Sequence, residues 1–108
     1  MTELDIQRAI QLEIGSREDA RVFRINVGVA VPINRCCPDC KSRGAVRFGL
    51  PGMADLLGIR QGGQFLSIEV KSPRGRESKE QIAWGQMIQK YGGMHIVARS
   101  TKDVLTKL

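Results

Sequence analysis

Two strand-like segments joined by a glycine pair impose the strongest constraint on how this chain can fold. Residues 65–71 alternate in polarity with period two, and residues 53–59 form a second, largely apolar run. The loop 61–63 between them, Gln-Gly-Gly, is typical of a tight hairpin because glycine tolerates the backbone angles that such turns need. With Arg60 and Gln64 closing this loop, the sequence predicts two adjacent antiparallel strands.

The second of these strands carries charge where an ordinary buried strand carries none. Its alternation places the three apolar side chains on one face, and Glu69 and Lys71 together on the other. Unpaired buried charge is costly, so a carboxylate and an ammonium group at these positions indicate a site rather than packing. The basic loop that follows, residues 72–76, would attract phosphate to the same end of the sheet.

The hairpin register brings another carboxylate to this place. Counting back from the loop along both strands sets Asp55 opposite Glu69, and cross-strand neighbours have Cβ atoms about 5 Å apart. Two carboxylates that close repel each other unless a positive group lies between them. A hard cation such as Mg²⁺ takes carboxylate oxygens and keeps waters that a phosphate can displace. Beside it, Lys71 could orient or deprotonate a water, or hold the charge of a transition state.

The order of these residues resembles the metal-dependent nuclease motif D…(D/E)-x-K, with Asp55 as the first acid and residues 69–71, Glu-Val-Lys, as the triplet. The surrounding sequence narrows the resemblance to the virus-type replication-repair nuclease (VRR-NUC) domain. It shares the Gly-Leu-Pro-Gly turn at 49–52, the hairpin, and a helix that opens with Ser-Lys-Glu-Gln at 78–81. The resemblance covers roughly residues 2–108. In that family the domain occurs alone in phages and fused to other parts in eukaryotic repair nucleases.

The resemblance implies a fold and a chemistry. The fold is α/β, a small mixed β-sheet flanked by helices with a restriction-endonuclease-like (PD-(D/E)xK) core, and residues 1–108 form one such domain. The chemistry is hydrolysis of phosphodiester bonds in DNA with Mg²⁺, for which Mn²⁺ should substitute. Asp55 and Glu69 would hold the ion with the backbone carbonyl of Val70, and Lys71 would position or activate the water.

Two further residues, Glu3 and Gln81, each allow a structural interpretation and an active-site interpretation. A helix is predicted from Thr2 to about residue 14, with Thr2 as its N-cap. The resemblance assigns a glutamate near its start to the metal, matched by Glu3, with Glu13 as the second candidate; Glu3 equally suits the positive end of the helix dipole. Ser78 and Gln81 fit a capping box, whereas the resemblance places Gln81 in the active site.

Other segments complete the predicted architecture. Residues 21–32 contain a strand, and residues 94–99 and 102–108 form a last strand and a short terminal helix. The helix at 79–91 is predicted to pack through the apolar residues Ile82, Met87, Ile88 and Tyr91.

The charge of the chain suits a polyanionic partner. The formal net charge is +6 and the isoelectric point is about 9.7. Phosphate contacts would release counterions from DNA, although many small basic proteins bind no nucleic acid, so that charge alone is weak support. The residues predicted to contact phosphates are Arg74, Arg76, Lys79, Arg43 and Arg47.

The cysteines offer an alternative metal site. Cys37 and Cys40 form a C-x-x-C pair with Cys36 adjacent, but a structural zinc needs four ligands and His95 is far away in sequence. The spacing favours free thiols, and any zinc found here would be structural. A zinc-binding adaptor, which would bind zinc stoichiometrically and hydrolyse nothing, stays open as a separate class.

The predicted setting is a cytoplasmic enzyme, in the host cytoplasm if the chain is phage-encoded. The sequence contains no apolar run of about 20 residues and no signal-peptide pattern, so no membrane partner is expected. No small-molecule cofactor is expected either. The predicted substrate is branched DNA, most of all a four-way (Holliday) junction cut by a homodimer. The alternatives are a flap or single-strand nuclease, and a catalytically inactive DNA-binding module.

Overall fold

The structure, a computed structural model, describes residues 2–25, 28–30 and 46–108, with residues 28–30 and 46–48 described by their backbone alone. Helices α1 and α2 each begin at a capping box. In α1 the Thr2 Oγ1 accepts a hydrogen bond from the Asp5 N–H, and the Asp5 carboxylate accepts one from the Thr2 N–H. The elements in chain order are α1 (Glu3–Gly15), β1 (Ala20–Arg24), β2 (Gly28–Ala30), β3 (Val46–Phe48), β4 (Leu56–Arg60), β5 (Phe65–Val70), α2 (Lys79–Lys90), β6 (Met94–Ala98) and α3 (Thr101–Leu105).

The main sheet has four strands in the order β1-β4-β5-β6. The pairs β1–β4 and β4–β5 are antiparallel, whereas β6 runs parallel to β5 and is reached through α2. Strands β2 and β3 pair separately as an antiparallel ribbon. The predicted fold, a mixed α/β sheet flanked by helices, is confirmed. Among the described residues no helix is long and apolar enough to cross a membrane.

The two faces of the sheet have different chemistry. On one face, the isoleucines of α1 and Val104 of α3 pack against the apolar side chains of β5 and β6 in one buried cluster. On the other face, α2 covers Ser67 and Glu69, which are 0% and 3% exposed. Strand β5 is therefore buried on both sides, and its second face is polar because it carries the candidate site.

The predicted packing stripe of α2 is wrong for most of its members. Ile82, Met87 and Tyr91 are 46%, 38% and 76% exposed, and only Ile88 is buried. The helix instead turns Gly85 and Ile88 toward the sheet. The cause is the polar strand face beneath α2, which selects hydrogen-bonding partners rather than the most apolar side of the helix.

The predicted strand 53–59 is also corrected, since β4 begins only at Leu56. Met53 closes a turn by donating its N–H to the Leu50 carbonyl. The side chain of Asp55 then accepts the N–H of Val70, a bond that a backbone carbonyl would accept if the ladder continued. Strand β4 therefore starts at Leu56, one residue after Asp55, because the Asp55 side chain takes the next hydrogen bond of the ladder. Of the segment predicted as a strand at 21–32, the structure places Ala20–Arg24 in β1 and Gly28–Ala30 in a separate ribbon.

Candidate active site

The hairpin has the register that the sequence predicts. Leu56 is paired with Ile68 and Gly58 with Leu66, and the Arg60 N–H donates to the Gln64 carbonyl at 2.8 Å. The loop glycines adopt φ angles of 93° and 89°, which side chains with a Cβ rarely tolerate. One step beyond the first pair, the same register sets Asp55 against Glu69.

Asp55 is fixed by its own backbone and by its side chain. Its carbonyl accepts the N–H of Ile25 at 2.9 Å, and its Oδ2 accepts the N–H of Val70 at 2.9 Å. The half-buried carboxylate is therefore held between the end of β1 and the end of β5. Such double anchoring prepares an acid to bind a ligand without first ordering itself.

Glu69 is a buried carboxylate with one satisfied oxygen. Its Oε1 accepts from Gln81 Nε2 at 2.9 Å, and Lys71 Nζ lies 3.9 Å from the same atom. Its Oε2 is buried and receives no hydrogen bond from any of the described residues. A buried acceptor without a donor is costly, so this oxygen indicates a missing positive partner.

Burial and the neighbouring carboxylate together perturb the pKa of Glu69. Burial raises it most, the charge of the Asp55 carboxylate raises it further, and Lys71 opposes these effects, leaving a pKa of about 8 instead of the ordinary 4.5. Two carboxylates this close repel each other when both are ionised. The pair therefore holds either a proton or a cation at neutral pH.

The donor set suits a hard divalent ion. Among the described residues no three His, Cys, Asp or Glu side chains group as potential metal ligands, so an ion held here would take two carboxylates from the protein. Mg²⁺ commonly binds proteins through one or two carboxylates and completes its shell with water and phosphate oxygens. The unpartnered Oε2 of Glu69 beside Asp55 fits this mode of binding.

Gln81 completes the capping box and also contacts Glu69, while its part in an active site stays a prediction. Its Oε1 accepts the Ser78 N–H at 2.8 Å and its backbone N–H donates to Ser78 Oγ at 3.2 Å, which completes the capping box. Its Nε2 donates to Glu69. Because an amide has an acceptor end and a donor end, one side chain caps α2 and orients a site carboxylate together.

The glutamates of α1 lie in different places relative to this site. Glu3 Oε1 accepts the N–H of Ser72, the residue after Lys71, at 3.2 Å, so Glu3 lies at the edge of the basic loop. Glu13 is exposed and lies ten residues further along the helix, a rise of about 15 Å. The geometry favours Glu3 over Glu13 as the nearer of the two. Its assignment as a metal ligand stays a prediction.

Three of the five residues predicted to contact phosphates lie in or next to the basic loop 72–76. Arg74, Arg76 and Lys79 are exposed on the loop and at the start of α2. Arg99 Nη2 donates to the Gly75 carbonyl at 2.8 Å and thereby holds the loop. Arg43 and the cysteines Cys36, Cys37 and Cys40 lie outside the described residues, and Arg47 lies in β3, where only the backbone is described.

Sequence reasoning missed a polar cluster beneath α2. Trp84 Nε1 donates to Ser67 Oγ at 2.9 Å, and the same hydroxyl lies 3.0 Å from His95 Nδ1. His95 is partly buried, and burial lowers its pKa. The available signal was the position of Ser67, two residues before Glu69 on the same face of β5.

A mixed sheet whose central hairpin presents an acid and a Glu-x-Lys triplet at one end defines a nuclease of the PD-(D/E)xK type. The model of the VRR-NUC domain matches residues 7–102 of the 108-residue chain, so the chain belongs to the VRR-NUC family. Membership implies a nuclease that acts on DNA, and nucleases of this type generally use a divalent metal ion. The matched span includes Asp55, Glu69 and Lys71 and begins four residues after Glu3. No curated protein matches the chain.

Proposed function

We propose that this protein is a Mg²⁺-dependent endonuclease that cleaves branched DNA, with the four-way junction as its preferred substrate and a homodimer as its active form. The observation that carries the proposal is the carboxylate pair at the end of the hairpin. Glu69 Oε2 lies buried beside Asp55 without a donor among the described residues, and the Lys71 ammonium lies 3.9 Å from the other oxygen of Glu69. We take Asp55, Glu69 and the Val70 carbonyl as the proposed ligands, with Glu3, at the edge of the basic loop, as a further candidate outside the carboxylate pair.

The side chains around the pair suit phosphodiester hydrolysis. A bound divalent ion supplies an activated water and neutralises charge on the phosphate. The Val70 N–H holds the Asp55 carboxylate, and Gln81 holds that of Glu69. Lys71, whose side chain is only 12% exposed, positions the attacking water or stabilises the charge that develops on the phosphate. Arg74, Arg76 and Lys79 hold the flanking phosphates.

The position of the site in the fold supports branched DNA as the substrate. The site lies at one end of a small sheet, beside a basic loop, and contacts of this kind act on the DNA backbone without reading bases. The described residues contain one such carboxylate pair, so two symmetric cuts across a four-way junction require two copies of the chain related by a two-fold axis.

A panel of labelled DNA structures tests this function. With Mg²⁺ or Mn²⁺ we expect cleavage of a four-way junction into two symmetric nicked duplexes, and we expect a chelator to stop it. Light scattering during gel filtration should give about twice the chain mass. Preferential cleavage of flaps or single strands would establish a flap or single-strand nuclease instead. Binding without cleavage under all metal conditions would establish a catalytically inactive DNA-binding module.

The salt dependence of DNA binding tests the phosphate contacts. Lys79 and Lys90 are both exposed and lie at opposite ends of α2, about 16 Å apart along its axis. Lys79→Ala should weaken binding of every DNA structure to a similar degree and reduce the slope of log affinity against log salt by about one. Lys90→Ala is the matched control and should leave the slope unchanged, as measured by fluorescence anisotropy in Ca²⁺. Equal effects of the two variants would contradict the proposed orientation of the DNA.

A further inference from the structure

Helix α2 contacts the site strand through two parallel hydrogen bonds. Gln81 donates to Glu69 at 2.9 Å, and Trp84, one turn further along the helix, donates to Ser67 at 2.9 Å. The donors are separated by about 4.5 Å of helix rise, and the acceptors by about 6.6 Å of strand. Two bonds at these spacings fix both the axial position and the rotation of α2, whereas one bond would leave the helix free to pivot.

Ser67 is the buried centre of this arrangement. It is 0% exposed, and its single hydroxyl is shared between Trp84 of α2 and His95 of β6. A Cβ on Gly85 would lie 2.5 Å from His95 Cδ2, so only glycine lets the helix approach this closely. The hydroxyl thus links β5, α2 and β6 beside the close approach of Gly85 to His95.

We propose that Ser67 and Trp84 are positioning residues for the metal site. By holding α2 at a fixed height and rotation, they keep Gln81 aimed at Oε1 of Glu69, and the free Oε2 therefore stays directed at the ion. Partners bonded directly to a metal ligand, as Gln81 is to Glu69, commonly change metal affinity by about 10- to 100-fold when they are removed, and Ser67 and Trp84 act through Gln81, so we expect the lower end of this range. The inference rests on the proposed function only in taking Asp55 and Glu69 as the ligands.

The chain provides its own reporter for this idea. Trp84 is the only tryptophan in the sequence, and its indole N–H makes the bond in question. Titrating Mg²⁺ into the protein without DNA should therefore change the indole fluorescence. The signal of free Mn²⁺ in electron paramagnetic resonance measures binding directly and also serves variants that lack the indole.

Ser67→Ala should raise the Mn²⁺ concentration for half-saturation by about tenfold. Ser67→Thr, which restores the hydroxyl, should recover most of that loss. Trp84→Phe removes the same bond from the other side and should behave like Ser67→Ala. Ile88→Val is the matched control, because it weakens the packing of α2 without touching a polar contact. It should lower the melting temperature and leave metal affinity unchanged.

The outcomes separate this inference from the proposed function. If Ser67→Ala and Trp84→Phe lower the melting temperature as Ile88→Val does, with unchanged Mn²⁺ affinity, the two residues serve only packing and the inference fails while the metal site stands. A wild-type protein that binds no Mn²⁺ overturns both. A Ser67→Ala chain that does not fold leaves Trp84→Phe to decide between the two.

Discussion

Replacing Glu69 with glutamine should abolish DNA cleavage and, in the same protein, raise the stability of the metal-free fold at pH 8. The loss of cleavage is expected because Glu69 is one of the two carboxylates proposed to hold the metal ion. The gain in stability follows from the burial of Glu69, which is 3% exposed and has one oxygen without a donor among the described residues. Glutamine has nearly the same shape, carries no charge, and can donate its amide N–H to the Asp55 carboxylate.

The pH dependence of stability has a definite sign. The pKa of Glu69 is about 8 in the folded chain, and its ordinary value is 4.5. Between these values the folded chain holds a proton that the unfolded chain has released, so the free energy of unfolding falls as pH rises from 4.5 to 8 and stays level above that. One pKa unit corresponds to about 1.4 kcal/mol, so the whole effect is on the order of a few kcal/mol.

Thermal unfolding in the presence of a chelator measures this effect. The difference in melting temperature between Glu69→Gln and wild type should be small at pH 5 and should grow toward pH 8 in favour of the variant. Glu18→Gln removes an exposed carboxylate and serves as the control, with no such trend expected. A Glu69→Gln protein that melts below wild type at pH 8 would mean that the Glu69 charge already has its counter-charge within the protein.

The parts of this molecule that were predictable from sequence are those fixed by local rules. The hairpin register follows from the Gln-Gly-Gly loop and the two-residue strand period, and it sets Asp55 against Glu69. The starts of α1 and α2 follow from Thr2 and Ser78, whose side chains accept the N–H of the residue three positions on. In both cases the decisive contacts lie within a few residues along the chain.

The features that the sequence did not predict depend on contacts between different secondary-structure elements. The apolar spacing of α2 predicts a buried Met87 and Tyr91, but the strand beneath it offers a hydroxyl and a carboxylate, and α2 turns its hydrogen-bonding side to them. The sequence predicts that Asp55 lies within a strand, but in the structure its side chain accepts the N–H of Val70 and the strand begins at the next residue. The periodicity of the sequence predicts neither the buried face of α2 nor the start of β4, because each depends on contacts between two segments that meet only in the fold.

Lys71→Ala should reduce the cleavage rate by about 10²- to 10⁴-fold and leave DNA binding largely intact. The side chain is 12% exposed, and its Nζ lies 3.9 Å from Glu69, so it faces the site rather than the surface that would hold DNA. Its charge also lowers the pKa of Glu69 and repels a cation at the same carboxylate, so removing it should change metal affinity as well. Mn²⁺ affinity must therefore be measured on the same variant, and cleavage compared at saturating metal.

Two further substitutions at this position distinguish the possible roles of the amine. Lys71→Arg keeps the positive charge but cannot act as a base, because the guanidinium does not release its proton near neutral pH. If the amine stabilises charge on the phosphate, Lys71→Arg should retain part of the activity that Lys71→Gln loses. If it takes a proton from the attacking water, both variants should be equally inactive. Undiminished turnover of Lys71→Ala at saturating metal would refute any catalytic role and leave Asp55 and Glu69 as the reacting centre.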